Sequence, residues 1–305
     1  MTRPSAAVFA YHDVGVRCLR ALLGAGFDVR LVVTHTDDPA ETRWYDSVAE
    51  LARDHDLPCA TPGTGDDRAV LEQLRAAPPD FIFSFYYRHL LPDALISIAR
   101  RGALNMHGSL LPRYRGRAPV NWAVLHGETE TGATLHYMVE RADAGDIVDQ
   151  MAVPILPDDT AAEVMRKVTV AAEVVLVRSL PALVAGNAPR RPQRVEPGQY
   201  FGRRRPEDGR IDWQQPASVV HNLVRAVAPP FPGAFTDLKG GRAWIHAARP
   251  APGIDAPSTS IGFFERAGRC YARCGDGAVL EIRAAADANG PLAPVALVRR
   301  WPDRA

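Results

Sequence analysis

Residues 5–36 confine the fold to a narrow class. SAAVFAY (5–11) is an unbroken apolar run of strand length, VGVRCLRALLGAG (14–26) has the pattern of a helix ended by glycine, and FDVRLVVTHT (27–36) is a second apolar strand. DFIFSFYY (80–87) and GALNM (102–106) continue the series. Strands that are apolar throughout are buried on both faces, and strand–helix–strand repetition supplies the helices that cover them. The result is a mostly parallel sheet with helices on both sides, whose ligands bind beyond the carboxyl ends of the strands.

Further along, PVNWAVLHG (119–127) carries a proline in its first turn and a glycine past its end, as helices do. TGATLHYMV (131–139) and DIVDQMAVPI (146–155) read as strands flanking ERADAG. Thr160 and Glu163 form a capping box ahead of a helix whose apolar face is Val164, Val168, Ala171 and Val175. Pro181 is expected to kink or end that helix, and Gly186 to punctuate it. Residues 186–210 are rich in Pro, Gly and Arg without apolar periodicity, the composition of an interdomain connection. A helix near 216–226 is followed by five short strand-like pieces, which suggest a small barrel. The expected class is α/β: a Rossmann-like domain over 1–188, a linker over 189–210, and a small OB-like β-barrel over 211–305.

Composition removes several functions. Lys and Arg total 36 against 35 Asp and Glu, a net charge of +1, which gives no general drive toward nucleic acid. No stretch approaches roughly 18 uninterrupted apolar residues and the N-terminus lacks a signal-peptide core, so a cytoplasmic protein without membrane insertion is expected. Cys18, Cys59, Cys270 and Cys274 form no C-x-x-C pair, so reduced thiols are expected, with no metal site. The first strand–helix turn, AYHDVGVRCL, holds one glycine where a dinucleotide loop wants three, and neither a phosphate-binding GxxxxGK[ST] loop nor a G-x-S-x-G elbow occurs.

Chemistry concentrates where GALNM ends. NMHGSLLPRYRGRAP (105–119) puts Asn105 and His107 on one side of a strand, since alternate residues share a face. ERADAGD (140–146) adds a carboxylate. An imidazole moves protons near neutrality, an amide N–H stabilises an oxyanion, and a carboxylate orients the imidazole. Together they suit attack of an amine on a carbonyl carbon. The residues alone leave Asp143 and Asp146 equally eligible. Arg113 and Arg115 read equally as a ligand clamp or a solvated face. Arg203, Arg204 and Arg205 read as linker before diphosphate site. His12, His136, His221 and His246 read as structural or surface residues.

NMHGSLLPRYRGRAP followed by RADAGDIV resembles the signature of the folate-dependent formyltransferases. FAYHDVG, THTDDP, SFYYRHLLP, GRAPVNWAVLHGETETG and YFGRRRPEDGRIDW are most similar to the branch of that family acting on UDP-4-amino-4-deoxy-L-arabinose, in lipid A modification and polymyxin resistance. The resemblance runs from about residue 5 to about residue 238 and is weaker beyond. It implies N10-formyltetrahydrofolate as co-substrate, a nucleotide-linked sugar as acceptor, and no metal. By the same resemblance Asn105 polarises the formyl oxygen, His107 is the general acid/base and Asp143 is its carboxylate partner. Folate contacts map onto His89, Leu90, Leu91 and Arg117, and onto Val139, Glu140, Arg141, Ala142 and Asp143. That branch fuses a decarboxylating dehydrogenase half to its formyltransferase; this sequence ends at Ala305, so the expectation is a homo-oligomer or a separate dehydrogenase partner. Rival acceptors are another nucleotide-linked amino sugar or methionyl-tRNA, the latter disfavoured by the near-zero charge. A non-catalytic folate or nucleotide sensor would need one of the three residues missing.

Overall fold

The structure is a computed structural model that describes residues 3–37, 43–196 and 200–301. The chain divides into two compact units: Met1–Pro119 with Thr131–Val153 and Arg166–Gly202, and Val120–Glu130 with Pro154–Met165 and Arg203–Ala305. The strand-paired part of the expected linker, through Gly202, therefore groups with the first unit. Asp38 and Pro39 of the THTDDP motif, linker residues 197–199 and the last four residues of the expected barrel lie outside the described residues.

Through the first unit run β1 (Ser5–Ala10), α1 (His12–Gly24), β2 (Asp28–Val33), α2 (Val48–Asp54), β3 (Cys59–Ala60), α3 (Arg68–Ala76), β4 (Phe81–Phe85), α4 (Asp93–Ile96), β5 (Gly102–His107) and β6 (Arg115–Gly116). Next in the chain are α5 (Pro119–Leu125), which from Val120 belongs to the second unit, β7 (Glu130–Tyr137), β8 (Ile147–Pro154), α6 (Ala161–Ala185), which belongs to the first unit from Arg166, and β9 (Tyr200–Phe201). Seven strands form a sheet in the order β3-β2-β1-β4-β5-β7-β8. β1 pairs in parallel with both β2 and β4, β4 with β5, and β7 runs antiparallel to β5. Chain direction outward from β1 reverses between β1 and β4, which opens a crevice at their carboxyl ends.

The residues explain the layers. Every residue of β1 and of β4 is buried, and Phe81, Phe83 and Phe85 stack along β4 with centroids 5.7 and 5.5 Å apart. α1 buries Val14, Cys18, Leu19 and Leu22 at helical spacing. It ends as its glycine predicts: Gly26 takes φ +79° and donates to Leu23, while Phe27 donates to Leu22, the paired closure a left-handed residue permits.

α6 opens on the expected capping box, with the Thr160 N–H donating to Glu163 (2.7 Å) and the Glu163 N–H to Thr160 Oγ1 (3.3 Å). Pro181 does not end it. The helix continues to Ala185, where the Arg101 guanidinium bonds the Leu183 carbonyl (2.9 Å) and Gly186 closes the turn. By length and composition α6 is apolar enough to cross a membrane, with mean hydropathy 1.8 over an 18-residue window, but half of that window is buried inside the structure.

The second unit contains α7 (Ala217–Val227), β10 (Ala234–Leu238), β11 (Gly241–Pro250), β12 (Gly262–Arg266), β13 (Arg269–Arg273), β14 (Val279–Asp287), β15 (Gly290–Leu292) and α8 (Ala296–Arg300). Its strands form an antiparallel sheet in the order β10-β11-β14-β13-β12, with β15 on β14. Cys270 and Cys274 are buried in it as small apolar groups. Arg204 is also used within this unit, its guanidinium 4.9 Å from the Trp122 ring and bonded to the Asp208 carbonyl.

Candidate active site

The polar residues singled out in β5 meet a third group from the loop after β7. Asn105 and His107 do share a side of β5, and antiparallel pairing sets Asn105 opposite His136. Beyond β7 the chain turns through Asp143, whose backbone is left-handed at φ +54°. Its Oδ1 lies 3.6 Å from His107 Nδ1, 3.6 Å from His136 Nε2 and 3.5 Å from Asn105 Nδ2, and Oδ2 accepts the Gly116 N–H at 2.8 Å. The geometry thus chooses between the two carboxylates that the sequence leaves equal: Asp143 joins the cluster, and Asp146 lines a neighbouring cleft.

Hydrogen-bond directions follow from the partners. His107 Nε2 faces the Tyr114 carbonyl at 2.8 Å, and a carbonyl only accepts, so Nε2 carries the hydrogen. The nitrogen that gains or loses a proton is therefore Nδ1, the one facing Asp143. His136 Nδ1 likewise donates to the Tyr137 carbonyl (2.8 Å), which leaves Nε2 to accept from Asn105 Nδ2 at 3.1 Å. Asn105 so directs its two amide hydrogens at His136 and Asp143.

The side chains of His107 and Asp143 are 7% and 13% exposed, so the pair is shielded from solvent. Burial by itself pushes the Asp143 carboxyl upward. His107 in its charged form, the neighbouring His136 ring and the Gly116 N–H outweigh it and hold the carboxyl well below the usual carboxylate range.

A cleft of about 440 Å³ is lined by the chain at 137–140 and 144–146, by Ile96 and Ser97, by Gly102 and Ala103 at the start of β5, and by Arg190; Asp143 adjoins its lining in sequence, and none of the three cluster residues lines it. Of the residues mapped as folate contacts, Val139 and Glu140 line this cleft. Val139 is 46% exposed, and Leu90, 68% exposed, is the most exposed large apolar side chain among the described residues. Leu91 packs against the core. The His89 ring is taken up by His35 (centroids 4.8 Å) and Tyr87 (5.6 Å). Arg141 is exposed, the Ala142 carbonyl accepts from Arg115 (2.7 Å), and the Arg117 N–H donates to the Phe201 carbonyl (2.9 Å). Arg115 is 3% exposed, which rules out the solvated face: it holds the 142 turn from inside. Among the described residues no group of three His, Cys, Asp or Glu side chains is arranged to hold a metal.

Comparison with known families decides the class. The formyl transferase domain matches residues 14–180, and the formyl transferase C-terminal domain matches 204–296. The chain belongs to the formyl transferase family. Solved structures share its fold at low identity. An N-formyltransferase from Helicobacter canadensis, in complex with folinic acid and dTDP-3-aminofucose, superposes with a TM-score of 0.74 at 19% identity, over 92% of this chain and 99% of that one. WlaRD, a sugar 3N-formyl transferase solved with dTDP and 5-N-formyl-THF, gives 0.73 at 19% identity over 93% and 98%. HypX from Aquifex aeolicus, bound to tetrahydrofolic acid, gives 0.65 at 20% identity, with 97% of this chain covering 46% of HypX. For a formyl transferase, an amide, an imidazole and a carboxylate around one point form a coherent set.

His136 is the residue the sequence reading undervalues. A histidine inside an apolar strand pattern carries no signal of its own. The register that sets it against Asn105 joins residues 31 apart and emerges only on folding.

Proposed function

We propose that this formyl transferase moves a formyl group from N10-formyltetrahydrofolate to the amino group of a nucleotide-linked amino sugar, with the 4-amino group of UDP-4-amino-4-deoxy-L-arabinose as acceptor. The observation that carries the reading is the meeting of Asn105, His107 and Asp143 within 3.6 Å of one carboxylate oxygen. The dTDP-3-aminofucose and folinic acid of the Helicobacter canadensis complex, and the dTDP and 5-N-formyl-THF present with WlaRD, support the acceptor class and the donor. The segments quoted above favour the UDP-linked pentose within that class. The cleft suits the donor: its size is in the range of small-molecule sites, and Val139 offers uncovered apolar surface to a flat ring.

In this reading Asn105 supplies an amide N–H to the formyl oxygen as the acceptor nitrogen adds to the formyl carbon. Its 3.5 Å contact with Asp143 is the longer of its two, and the one the oxyanion replaces. His107 Nδ1 takes the proton that the new C–N bond forces off the amine and returns it to N10 as the old C–N bond breaks. Asp143 stabilises the charged imidazole between the two transfers.

The test is a panel. The protein and N10-formyltetrahydrofolate are incubated with UDP-4-amino-4-deoxy-L-arabinose, a dTDP-linked amino sugar or methionyl-tRNA, and release of tetrahydrofolate is followed. Release with the UDP sugar is expected. Release with the dTDP sugar alone moves the specificity within the class, and release with tRNA alone overturns the proposal.

A further inference from the structure

Residues 190–196 and 200–201 follow α6 and have a linker's composition, yet they bond both loops that build the site. Arg191 exchanges backbone hydrogen bonds with Ile147 (2.8 and 3.0 Å). Gln193 Nε2 donates to the carbonyl oxygens of Asp143 (3.2 Å) and Gly145 (2.6 Å). At the far end β9 pairs in parallel with β6, setting Gly116 against Phe201. The Phe201 ring stacks on Tyr114, with centroids 5.0 Å apart and planes at 28°. Gly116 has φ +101°, and a Cβ there would lie 2.2 Å from the Phe201 carbonyl oxygen, so this approach admits only glycine.

Each anchored residue in turn holds a member of the site. The Tyr114 carbonyl fixes His107 Nε2, the Gly116 N–H fixes Asp143 Oδ2, and Gln193 grips Asp143 by its own carbonyl. These loops have little local preference for their shape. Tyr114 (φ +55°), Ala118 (φ +50°) and Asp143 (φ +54°) are non-glycine residues in the left-handed region, a state that persists only where surrounding contacts impose it.

We propose that residues 190–196 and β9 (Tyr200–Phe201) act as positioning anchors, a strap in which Gln193 and Phe201 hold the 143–145 and 114–117 loops at the spacing that brings Asp143 to His107 Nδ1. Neither side chain contacts the cluster's reactive atoms; both act through the backbone that carries them. The inference rests on the reading of His107 and Asp143 as the transfer residues.

Its test uses the full chain as Gln193→Leu, Phe201→Ala and Phe201→Tyr, with His107→Ala alongside. Three quantities are read: tetrahydrofolate release with the acceptor that the parent turns over, thermal melting, and titration of the Asp143 carboxyl by 13C NMR. Loss of positioning typically costs about 10- to 100-fold, so kcat should fall by that much in Gln193→Leu and Phe201→Ala. KM should change less than kcat, because neither Gln193 nor Phe201 itself lines the cleft, although the loops they hold border it. Phe201→Tyr, which keeps the ring on Tyr114, should recover most of the loss. The Asp143 carboxyl is faced by His107, His136 and the Gly116 N–H, with the charge of Arg115 nearby. In Phe201→Ala it should titrate at higher pH than in the parent, since the Gly116 N–H is no longer aimed at it.

Folded variants with parental kcat and an unmoved Asp143 titration overturn the strap. A lower kcat that merely tracks a lower melting temperature, with that titration unmoved, also overturns it. Parental turnover in His107→Ala sinks the transfer reading instead, and the Asp143 titration then judges the strap by itself, as it does if no acceptor is turned over. Should Phe201→Ala not fold, Gln193→Leu decides, by kcat and by the same titration.

Discussion

His12 and His35, after the carboxyl ends of β1 and β2, are packed among rings. His12 stacks on Tyr45 (centroids 4.3 Å) and meets Trp44 edge-on, while His35 stacks on Tyr87 at 4.2 Å. The Asp13 carboxylate stays 4.0 Å from His12 Nδ1 and accepts the Asp46 N–H instead. Burial, with the charge of Arg88, pushes both histidines down to about 4. His107 and His136, in β5 and β7 of the same sheet, are also buried, but around the Asp143 carboxylate. A buried imidazole among rings gives up its charge. His107 Nδ1 instead faces a carboxylate oxygen at 3.6 Å, the contact on which the proposed proton transfer rests.

Four substitutions test this contrast. His107→Ala should lose turnover by about 10²- to 10⁴-fold, the worth of a general acid–base, with donor binding retained by equilibrium titration. His12→Asn should lose far less in the same assay; equal losses break the contrast.

Asp143→Asn keeps the shape but removes the charge, and should cost about 10²-fold in kcat. It also carries a stability signature. The folded carboxyl is held below its unfolded value of 3.8, so its contribution is complete above that pH and is lost as pH falls through the folded value. Urea unfolding between pH 2 and 5 should therefore give a flatter curve for the variant than for the parent.

The His12 effect lies in stability. Its folded value is lowered from 6.5 to about 4, so the unfolded chain takes up the proton first and the parent loses stability as pH falls across that window. The loss from this one group is about 3 kcal/mol, and His12→Asn, which tolerates the left-handed backbone of this position (φ +65°), should remove it. A parental slope in the variant's melting temperature against pH contradicts the burial account.

The smallest effect is expected at His136→Gln. The change disturbs the acceptor of one Asn105 hydrogen, worth at most about 1.5 kcal/mol, so kcat should fall by about tenfold or less. A loss as large as that of His107→Ala would make His136 an equal partner in proton transfer.

Local patterns made much of this molecule readable. β1, β4 and β5, the Gly26 end of α1 and the Thr160–Glu163 start of α6 each follow from a few neighbouring residues, because hydrogen-bonding period and side-chain burial act over one or two turns. Asn105 and His107 were legible for the same reason, as alternate residues of one strand. The four-residue α4 and the two-residue strands β3, β6 and β9 left no such mark, since segments this short carry less than one period. Pro181 does not end the helix because the cost of a proline is a local prior, and a helix with one face packed along its length, and its last carbonyls met by Arg101, withstands it.

The amino-acid order by itself determined the parallel sheet, the position of the site at the end of β5, and the chemical types gathered there. Tertiary structure alone decided that Asp143 and not Asp146 meets His107, that His136 faces Asn105, and that a stretch with a linker's composition grips both loops. Each of those outcomes joins residues some 30 to 90 positions apart through strand register or backbone turns of positive φ. Such pairings depend on where whole elements come to rest, and no short stretch of chain carries that information.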